Sequence, residues 1–291
     1  MATRKCHRRR CEPPYDGRTV PDRPADLPEF DRPPVVEVAI GVQFEPIKSF
    51  RQAHLGLFWD RIRAEYPKTQ DQARLETPVE TLEADGGWPT LQLELIDAPP
   101  VHRAWFISED ESLLVQLQDD RLIHNWRHRG GEYPRFEPLL ELFWSHIDSF
   151  NAVVANAGLA PMPVLQTEVS YINWIAADSM EQFFRPSIAS ELDVAGIGPR
   201  PDGQRWMARY PVREGDDLRG RLSVEAQPGR RVDEGKVSIG FQLSLTFRAP
   251  VVVGADRGTI SNLLALGRSS IVRVFAALTT DTMHTEWGRT K

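Results

Sequence analysis

The stretch RLIHNWRHRGGEYPRF, residues 121–136, decides how this chain is expected to fold. Its first seven residues predict a β-strand that pairs with residues 112–118 across a two-residue turn at positions 119–120. The glycine pair at 130–131 interrupts this pattern, and the longest predicted helix follows over residues 134–157. The stretch therefore predicts a strand, a cationic corner and the entry to a helix.

The two-residue turn sets the register of the predicted hairpin. The opposed pairs are Gln116 with Ile123, Leu114 with Asn125, and Gln118 with Arg121. Because successive side chains in a strand alternate between faces, the polar side chains collect on one face: Gln116, Gln118, Arg121, Asn125 and Arg127. The other face carries Leu113, Val115, Leu117, Leu122, His124 and Trp126.

The remaining elements are predicted from apolar periodicity and turn residues. Further strands are predicted at residues 36–44, 91–96, 102–108, 164–175, 205–210, 221–227 and 236–248. Further helices are predicted from the cap Ser49 to Tyr66, at residues 178–192 and at residues 259–278, while residues 67–89 are expected to form a long connection or an irregular edge. Strict alternation in residues 236–248 is typical of an antiparallel sheet with one covered face.

We therefore expect an α+β fold, with a mostly antiparallel sheet and three main helices packed on one face. A disordered leader is expected over residues 1–34, which contain seven prolines, and a single domain over residues 35–289. The pattern LFWxxI occurs at residues 57–62 and again at 142–147. It favours two duplicated β-α-β-rich halves that meet near residues 160–200, although chance similarity of amphipathic helices explains it as well.

Composition excludes several classes of protein. The chain has 291 residues, of which 41% are hydrophobic, and its net charge of −6 argues against a nucleic-acid partner because phosphate binding needs a basic surface. No run of eighteen apolar residues occurs, so we expect a soluble cytoplasmic protein without a membrane partner. Cys6, His7 and Cys11 offer at most three ligands without the usual zinc spacing. We therefore expect no metal and no cofactor.

Neutral polar and small side chains are expected to share the sheet face opposite the helices. The polar members are Gln43, Gln116, Gln118, Gln166, Ser170, Gln242 and Ser244. This composition is typical of a surface that a ligand, a partner or another part of the chain approaches closely. The candidate ligand-binding residues on this face are Arg121, Asn125, Arg127, Gln116, Gln118 and Glu168.

Each of these residues has a structural alternative. The guanidinium groups of Arg121 and Arg127 beside Asn125 are suited to a carboxylate or phosphate, but an internal ion pair with Glu168 explains them as well. His124 is predicted to be a core histidine with one hydrogen-bonded nitrogen rather than a general base. The chain contains no GxxxxGKS/T, HExxH or GxSxG pattern, so no catalytic residue is assigned.

Several segments follow one another in a distinctive order: PPVVEVAIGVQFEPI, QLQDDRLIHNWR with YPRF behind it, TEVSYINWI and MHTEWGR. Together they resemble a family of sporadically distributed prokaryotic proteins of unknown function. The resemblance covers Pro33 to Arg289 and leaves out the leader. It implies a single conserved unit and a patchy gene distribution, as in accessory or mobile genes, and it carries over no activity, cofactor or catalytic residue.

The sequence favours a non-catalytic binding or interaction protein that uses the polar face of its sheet. The expected partner is another protein or a small anionic ligand. The alternative is an enzyme acting on a small anionic substrate at the same face, with Glu168 and an arginine, or Tyr171 and Asn173, around the substrate. A third alternative is a homodimer in which a second copy covers the face.

Overall fold

A computed structural model describes residues 20–76, 79–82, 101–160, 163–185, 204–233 and 235–291. The predicted strand at 91–96, the first nineteen residues of the predicted leader and the end of the predicted helix 178–192 lie outside these ranges. Within them, the strands are β1 Val35–Phe44, β2 Lys68–Gln72, β3 Arg103–Ile107, β4 Leu113–Gln118, β5 Arg121–Arg127, β6 Val164–Ile175, β7 Trp206–Glu214, β8 Asp217–Asp233 and β9 Lys236–Pro250. The helices are α1 Gln52–Ile62, α2 Phe136–Asn156, α3 Arg257–Leu278 and α4 Asp281–Glu286, with a short 3-10 helix at Met180–Gln182.

All nine strands belong to one antiparallel sheet with the order β2-β3-β4-β5-β1-β6-β9-β8-β7. One hydrophobic core joins the covered face of this sheet to α1, α2 and α3, with Ile40, Val169 and Phe143 completely buried. The α+β class, the antiparallel sheet and the three main helices predicted from the sequence are confirmed. The predicted register of the β4–β5 hairpin is also confirmed, because Gln118 pairs with Arg121 and Gln116 with Ile123.

The strand order repeats once along the chain. In the first part, β1 lies at the centre of the sheet and β5, β4, β3 and β2 follow outward; in the second part, β6 lies at the centre and β9, β8 and β7 follow outward. A long helix ends each part, α2 in the first and α3 in the second. The pattern LFWxxI occurs in α1 and α2, which both belong to the first part, so it does not mark this repetition.

Three regions differ from the sequence-based expectations. Residues 68–72, expected to belong to a long connection or an irregular edge, form the regular edge strand β2, which is exposed along much of its length and therefore has no apolar alternation. Helix α1 begins later than the cap predicted at Ser49, because the N-cap is Arg51. From the predicted helix 178–192, the described part forms the single turn Met180–Gln182. Apolar periodicity is weak in all three regions.

Residues 20–34, assigned to the leader by the sequence, pack against the rest of the chain. Leu27 is fully buried, and Phe30 forms a β-bridge with Arg289 and contacts the Phe275 and Trp287 rings. These contacts join the N-terminal segment to the C-terminal end of the chain. Because the apolar residues of this segment are sparse and follow no period, the pattern alone indicated disorder.

The β8–β9 hairpin is longer than predicted. The two strands pair from Arg221 with Arg248 to the turn beside Lys236, and Gly229 is paired within the hairpin instead of ending it. Val232, Val237 and Ile239 continue the alternation of the core-facing side chains but are more than half exposed. The alternation therefore identified their face correctly and overestimated their burial.

Helix α3 is, among the described residues, the one helix long and apolar enough to cross a membrane by length and composition. Of its most apolar window, 56% is buried inside the fold, where α3 contacts β6, β8 and β9. Core helices that are mostly buried have the same length and composition. The contacts of α3 with the sheet are those of a core helix.

Close approach of α3 to the sheet depends on Gly267, because a Cβ atom at this position would collide with the buried Phe247 ring of β9. We expect Gly267→Ala to lower the free energy of unfolding by about 1–3 kcal/mol through overpacking. Gly56 of α1 is the matched control, since a Cβ atom there meets nothing within 4 Å. Gly56→Ala is expected to raise stability by up to about 1 kcal/mol. Urea unfolding curves measure both effects, and equal stability of the two variants would contradict the packing.

Candidate functional site

The outer face is defined here as the sheet face that carries Gln43, Gln116, Gln118, Arg121, Asn125, Arg127, Gln166, Glu168 and Ser170. All six candidate ligand-binding residues lie on it, as the alternation of the strands predicted. Cross-strand pairing places Gln118, Arg121, Gln43 and Gln166 in one row across β4, β5, β1 and β6. The arrangement of this face therefore follows from period two along each strand.

A segment of the same chain crosses part of the outer face. We call residues 73–76 and 79–82 the strap. The Leu75 backbone N–H donates to Gln118 Oε1 at 3.1 Å, and Gln118 Nε2 donates to the Leu75 carbonyl at 3.2 Å. Three strands further along the sheet, on β6, the Glu80 backbone N–H donates to Gln166 Oε1 at 2.6 Å. The sequence predicted that a ligand, a partner or another part of the chain approaches this face closely. At Gln118 and Gln166 it is the strap of the same chain that does so.

Charged groups hold both ends of the strap. Arg74 pairs with Asp119 and lies 3.4 Å from Asp120, both in the turn of the β4–β5 hairpin. At the other end, the Glu80 carboxylate pairs with Arg209 of β7 and lies 3.1 Å from Nε of Arg221 on β8. The Glu80 side chain is 8% exposed, so these ion pairs are largely shielded from water.

Two of the candidate residues are engaged in internal ion pairs. Arg121 is 5% exposed and donates from Nε at 3.1 Å and from Nη2 at 3.0 Å to the Asp120 carboxylate. Glu168 accepts a hydrogen bond at 2.6 Å from Nε of Arg248 on β9. An ion pair of Glu168 with Arg121 or Arg127 of β5 was the alternative predicted from the sequence. The observed partner is instead Arg248 of β9, which lies 80 residues after Glu168.

Gln116 and Asn125 belong to a chain of hydrogen bonds across four strands. Arg103 Nη1 and Trp105 Nε1 both donate to Gln116 Oε1, at 2.8 and 3.1 Å. Gln116 Nε2 donates to Asn125 Oδ1 at 2.8 Å, and Asn125 Nδ2 donates to Glu37 Oε1 at 2.6 Å. Burial raises the pKa of the Glu37 carboxyl, while the bond from Asn125 opposes this change.

Arg103, Trp105 and Arg127 form what we call the arginine–tryptophan cluster. The guanidinium carbons of Arg103 and Arg127 lie 5.5 and 5.9 Å from the centroid of the Trp105 ring, within cation–π distance. In the part of the chain that the structure describes, Nε of each arginine is buried and has no hydrogen-bond partner. Burial lowers the pKa of both guanidinium groups, and the positive charge of Arg121 lowers that of Arg103 further.

Two members of this cluster, Arg103 and Trp105, are not among the candidate residues predicted from the sequence. The alternation of Trp105 with aliphatic residues predicts a core position for it, but Trp105 pairs with Gln116 and therefore lies on the outer face. Its neighbours Ala104, Phe106 and Ile107 are all apolar and buried, so alternation along β3 could not distinguish the faces. Arg103, two residues earlier, was the available signal, because it shares the face of Trp105. Trp174, also expected in the core, alternates with the core-facing Tyr171 and Asn173 and lies on the outer face as well.

His124 lies in the core, as predicted, and stacks on His146 with ring centroids 5.0 Å apart. The expected hydrogen bond is absent: among the described residues, neither ring nitrogen of His124 has a partner. Burial lowers the pKa of His124 well below its usual value and that of His146 to about 4. Both rings are therefore neutral at neutral pH and lie far from the outer face, which excludes His124 as a base acting there.

Tyr171 and Asn173 were predicted from the sequence as candidates for a substrate site on the outer face. Their side chains lie instead on the opposite side of β6. Their side chains are buried and line a cavity next to Arg268 of α3. The reason is parity, because odd-numbered residues of β6 face the helices while Gln166, Glu168 and Ser170 face outward. In the described ranges, no group of three or more His, Cys, Asp and Glu residues is arranged to hold a metal ion. Cys6, His7 and Cys11 lie outside those ranges.

The chain matches no protein-family model, and no curated protein matches it at a significant level of similarity. The resemblance described from the sequence segments stays a prediction.

The buried histidine pair gives the fold a pH dependence with a defined sign. The pKa of His146 is about 4 in the folded state and 6.5 without burial, so the unfolded chain binds the proton first as the pH falls. Stability is therefore highest above pH 6.5 and falls between pH 6.5 and 4, by about 3 kcal/mol for this histidine at about 1.4 kcal/mol per pH unit. His146→Phe keeps an aromatic ring against His124 and should remove the loss of about 3 kcal/mol in stability that His146 causes between pH 6.5 and 4. Urea unfolding across this pH range measures it, and an unchanged pH dependence would contradict the assignment.

The ion pairs of Glu80 are expected to hold the strap on the outer face. Glu80→Gln should lower the free energy of unfolding by about 1–3 kcal/mol and should speed amide exchange in the strap, because a largely buried carboxylate partner of two arginines is lost. Glu76→Gln, which changes an exposed carboxylate of the same segment, is the matched control and should stay within about 0.5 kcal/mol. Hydrogen exchange with mass spectrometry measures the difference, and equal exchange in both variants would show that the strap is held otherwise.

Proposed function

We propose that this chain is a non-catalytic binding protein whose arginine–tryptophan cluster binds an acidic segment of a protein partner. The observation that carries the proposal is the pair of guanidinium groups within 6 Å of the centroid of the Trp105 ring, each with a buried Nε that lacks an acceptor in the described chain. A carboxylate is the acceptor that best matches a guanidinium in charge and in planar geometry.

Energetics favours an external anion at this position. The lowered pKa values of Arg103 and Arg127 show that burial disfavours their charged forms. A carboxylate beside them would offset that cost, and charge-assisted hydrogen bonds contribute about 1.5–3 kcal/mol each. The two arginines are also held on strands of one sheet, β3 and β5 on either side of β4, with Arg103 fixed by Gln116, so little side-chain freedom is lost on binding.

The other candidate residues support the cluster in this proposal. Gln116 and Asn125 link Arg103 to Glu37 through hydrogen bonds, while Arg121 is held by Asp120. The partner contacts are therefore assigned to Arg103, Trp105 and Arg127, and Gln116, Asn125 and Arg121 are assigned a positioning role.

A catalytic alternative has one specific observation in its favour. Glu37 lies on the outer face, and burial raises the pKa of its carboxyl, although the positive charge of nearby Arg127 partly opposes this rise. Such a group is suited to general acid–base chemistry on an anionic substrate. Glu37→Gln discriminates the two functions, because a binding protein should keep its affinity for an acidic peptide and an enzyme should lose turnover with its binding intact.

The binding proposal is tested by titrating a peptide of six glutamates into the full chain at low ionic strength. We expect saturable binding that weakens with added salt, and we expect Arg103→Gln with Arg127→Gln to reduce affinity at least about tenfold, or 1.4 kcal/mol. Calorimetry measures both.

Arg257→Gln is the matched control, since Arg257 also lies over a tryptophan, Trp144, with 4.5 Å between the guanidinium carbon and the ring centroid. It removes one positive charge, half of what the double variant removes, from a comparable cation–π contact on a helix, away from the outer face. An equal loss of binding free energy per charge removed in the control and in the double variant would show that binding depends only on net charge, and this would overturn the proposal.

A further inference from the structure

We propose that the cavity beside Arg268 is a second binding site, which takes a small monocarboxylate. The cavity lies on the helix side of the sheet, between α3, β6 and the N-terminal segment. It is formed by residues that the arginine–tryptophan cluster does not use. This inference is therefore independent of the function proposed for the outer face.

The cavity has a volume of about 60 Å³, several times the roughly 15 Å³ that one water molecule needs. Most of its walls are apolar and come from Phe30, Val35, Phe136, Leu245, Ile271 and Phe275. Glu29 and Arg135 also line it and are partly exposed, so they mark its mouth. The space is suited to a small organic ion with a short apolar part.

Arg268 is the group that requires a ligand. Its side chain is 1% exposed, and none of its three guanidinium nitrogens has a hydrogen-bond partner among the described residues. Glu137 Oε1 lies 3.0 Å from Nη2, but the arrangement is not that of a hydrogen bond, and this oxygen also has no partner within those residues. Buried polar groups in folded proteins are almost always hydrogen-bonded, so a guanidinium without acceptors indicates a missing acceptor.

The two tyrosines at the cavity supply a further donor. Tyr133 and Tyr171 share one hydrogen bond, with their hydroxyl oxygens 2.8 Å apart. Because one hydroxyl donates to the other, the second proton of the pair has no acceptor in the described chain. Burial raises the pKa of Tyr171 to about 12 and raises the pKa of Tyr133 well above its usual value, so both hydroxyls keep their protons at neutral pH. A carboxylate could accept from the pair and from Arg268 together.

The charges around the cavity favour an anion. Among the residues that line it, Arg23, Arg135 and Arg268 contribute three positive charges and Glu29 contributes one negative charge. Glu137 beside Arg268 and Lys291 beside Glu29 add one charge of each sign, so the balance is +2. A small carboxylate would reduce this positive charge in a mostly apolar space.

The start of α2 adds to the positive potential at this position. Its N-cap is Arg135, which makes no side-chain hydrogen bond to the first turn and has a positive φ of 72°. The first N–H groups of the 21-residue helix therefore lack a side-chain cap, and Phe136 at its first position lines the cavity. A non-glycine residue in this backbone conformation is strained, and such strain is often retained at ligand sites.

Calorimetric titration of the full chain with sodium propionate and sodium butyrate tests the proposal, with sodium chloride at the same ionic strength as the reference. We expect saturable binding of the carboxylates and a rise in melting temperature with their concentration. We expect Arg268→Gln to weaken binding at least tenfold and Tyr133→Phe to weaken it several-fold. Inorganic phosphate is expected not to compete.

Arg273→Gln is the matched control, because Arg273 lies on the same helix, is exposed and pairs with Asp26. It should bind propionate as the unaltered chain does. If Arg268→Gln does not fold, as judged by circular dichroism, Tyr133→Phe decides, since it removes one hydroxyl and keeps the aromatic ring. Absence of saturable binding, unchanged affinity in a folded Arg268→Gln or in Tyr133→Phe, or equal competition by phosphate would overturn the assignment. Loss of peptide binding in the Arg103 and Arg127 variant leaves this result untouched.

Discussion

The antiparallel pairing of β1 with β6 is the interaction on which the rest of the structure depends. These two strands are the centre of the sheet, and every other strand is joined to the fold through one of them. Their register sets the two faces, because Ile40 and Val169 point together into the core while Ala39 and Ser170 point together outward. Small residues are required at this centre, since a Cβ atom at Gly41 would lie 2.9 Å from Ile123 of β5. The sheet therefore has a dry face and a polar face from its central pair outward.

A polar sheet face has to satisfy its hydrogen-bonding groups, and this chain does so largely with its own residues. Gln118 and Gln166 bind the strap, Glu168 binds Arg248, and Arg121 binds Asp120. Of the outer-face donors without acceptors in the described chain, Nε of Arg103 and Nε of Arg127 lie together in the arginine–tryptophan cluster, while Nε1 of Trp174 lies apart on β6. Function is best sought where such internal pairing is incomplete, because there an external group gains most from binding.

Features set by residues close together in the sequence could be predicted, whereas contacts between residues far apart in the sequence could not. The hairpin register and the ends of β6 followed from local alternation and a two-residue turn, and the same rule placed all six candidate residues on the correct face. The hydrogen-bond partners of Gln118 and Glu168 could not be predicted from local patterns, because Leu75 lies 43 residues from Gln118 and Arg248 lies 80 residues from Glu168. Topology sets such pairs, and no local pattern encodes them. Trp105 was misplaced for a different reason, since a strand with apolar residues on both faces has no alternation to read.

The two proposed sites lie on opposite faces of the sheet, and β1 joins them, since it pairs with β5 of the cluster and with β6 of the cavity. Glu37 of β1 pairs with Arg127 on the outer face, while Val35, two residues earlier, pairs with Asn173 and lines the cavity on the other side. A ligand at either site binds only the folded chain, so each would stabilise the same fold by mass action. Such added stability does not by itself show communication between the sites. Coupling requires that one ligand change the affinity for the other, and the shared strand β1 is the element through which that change would have to pass.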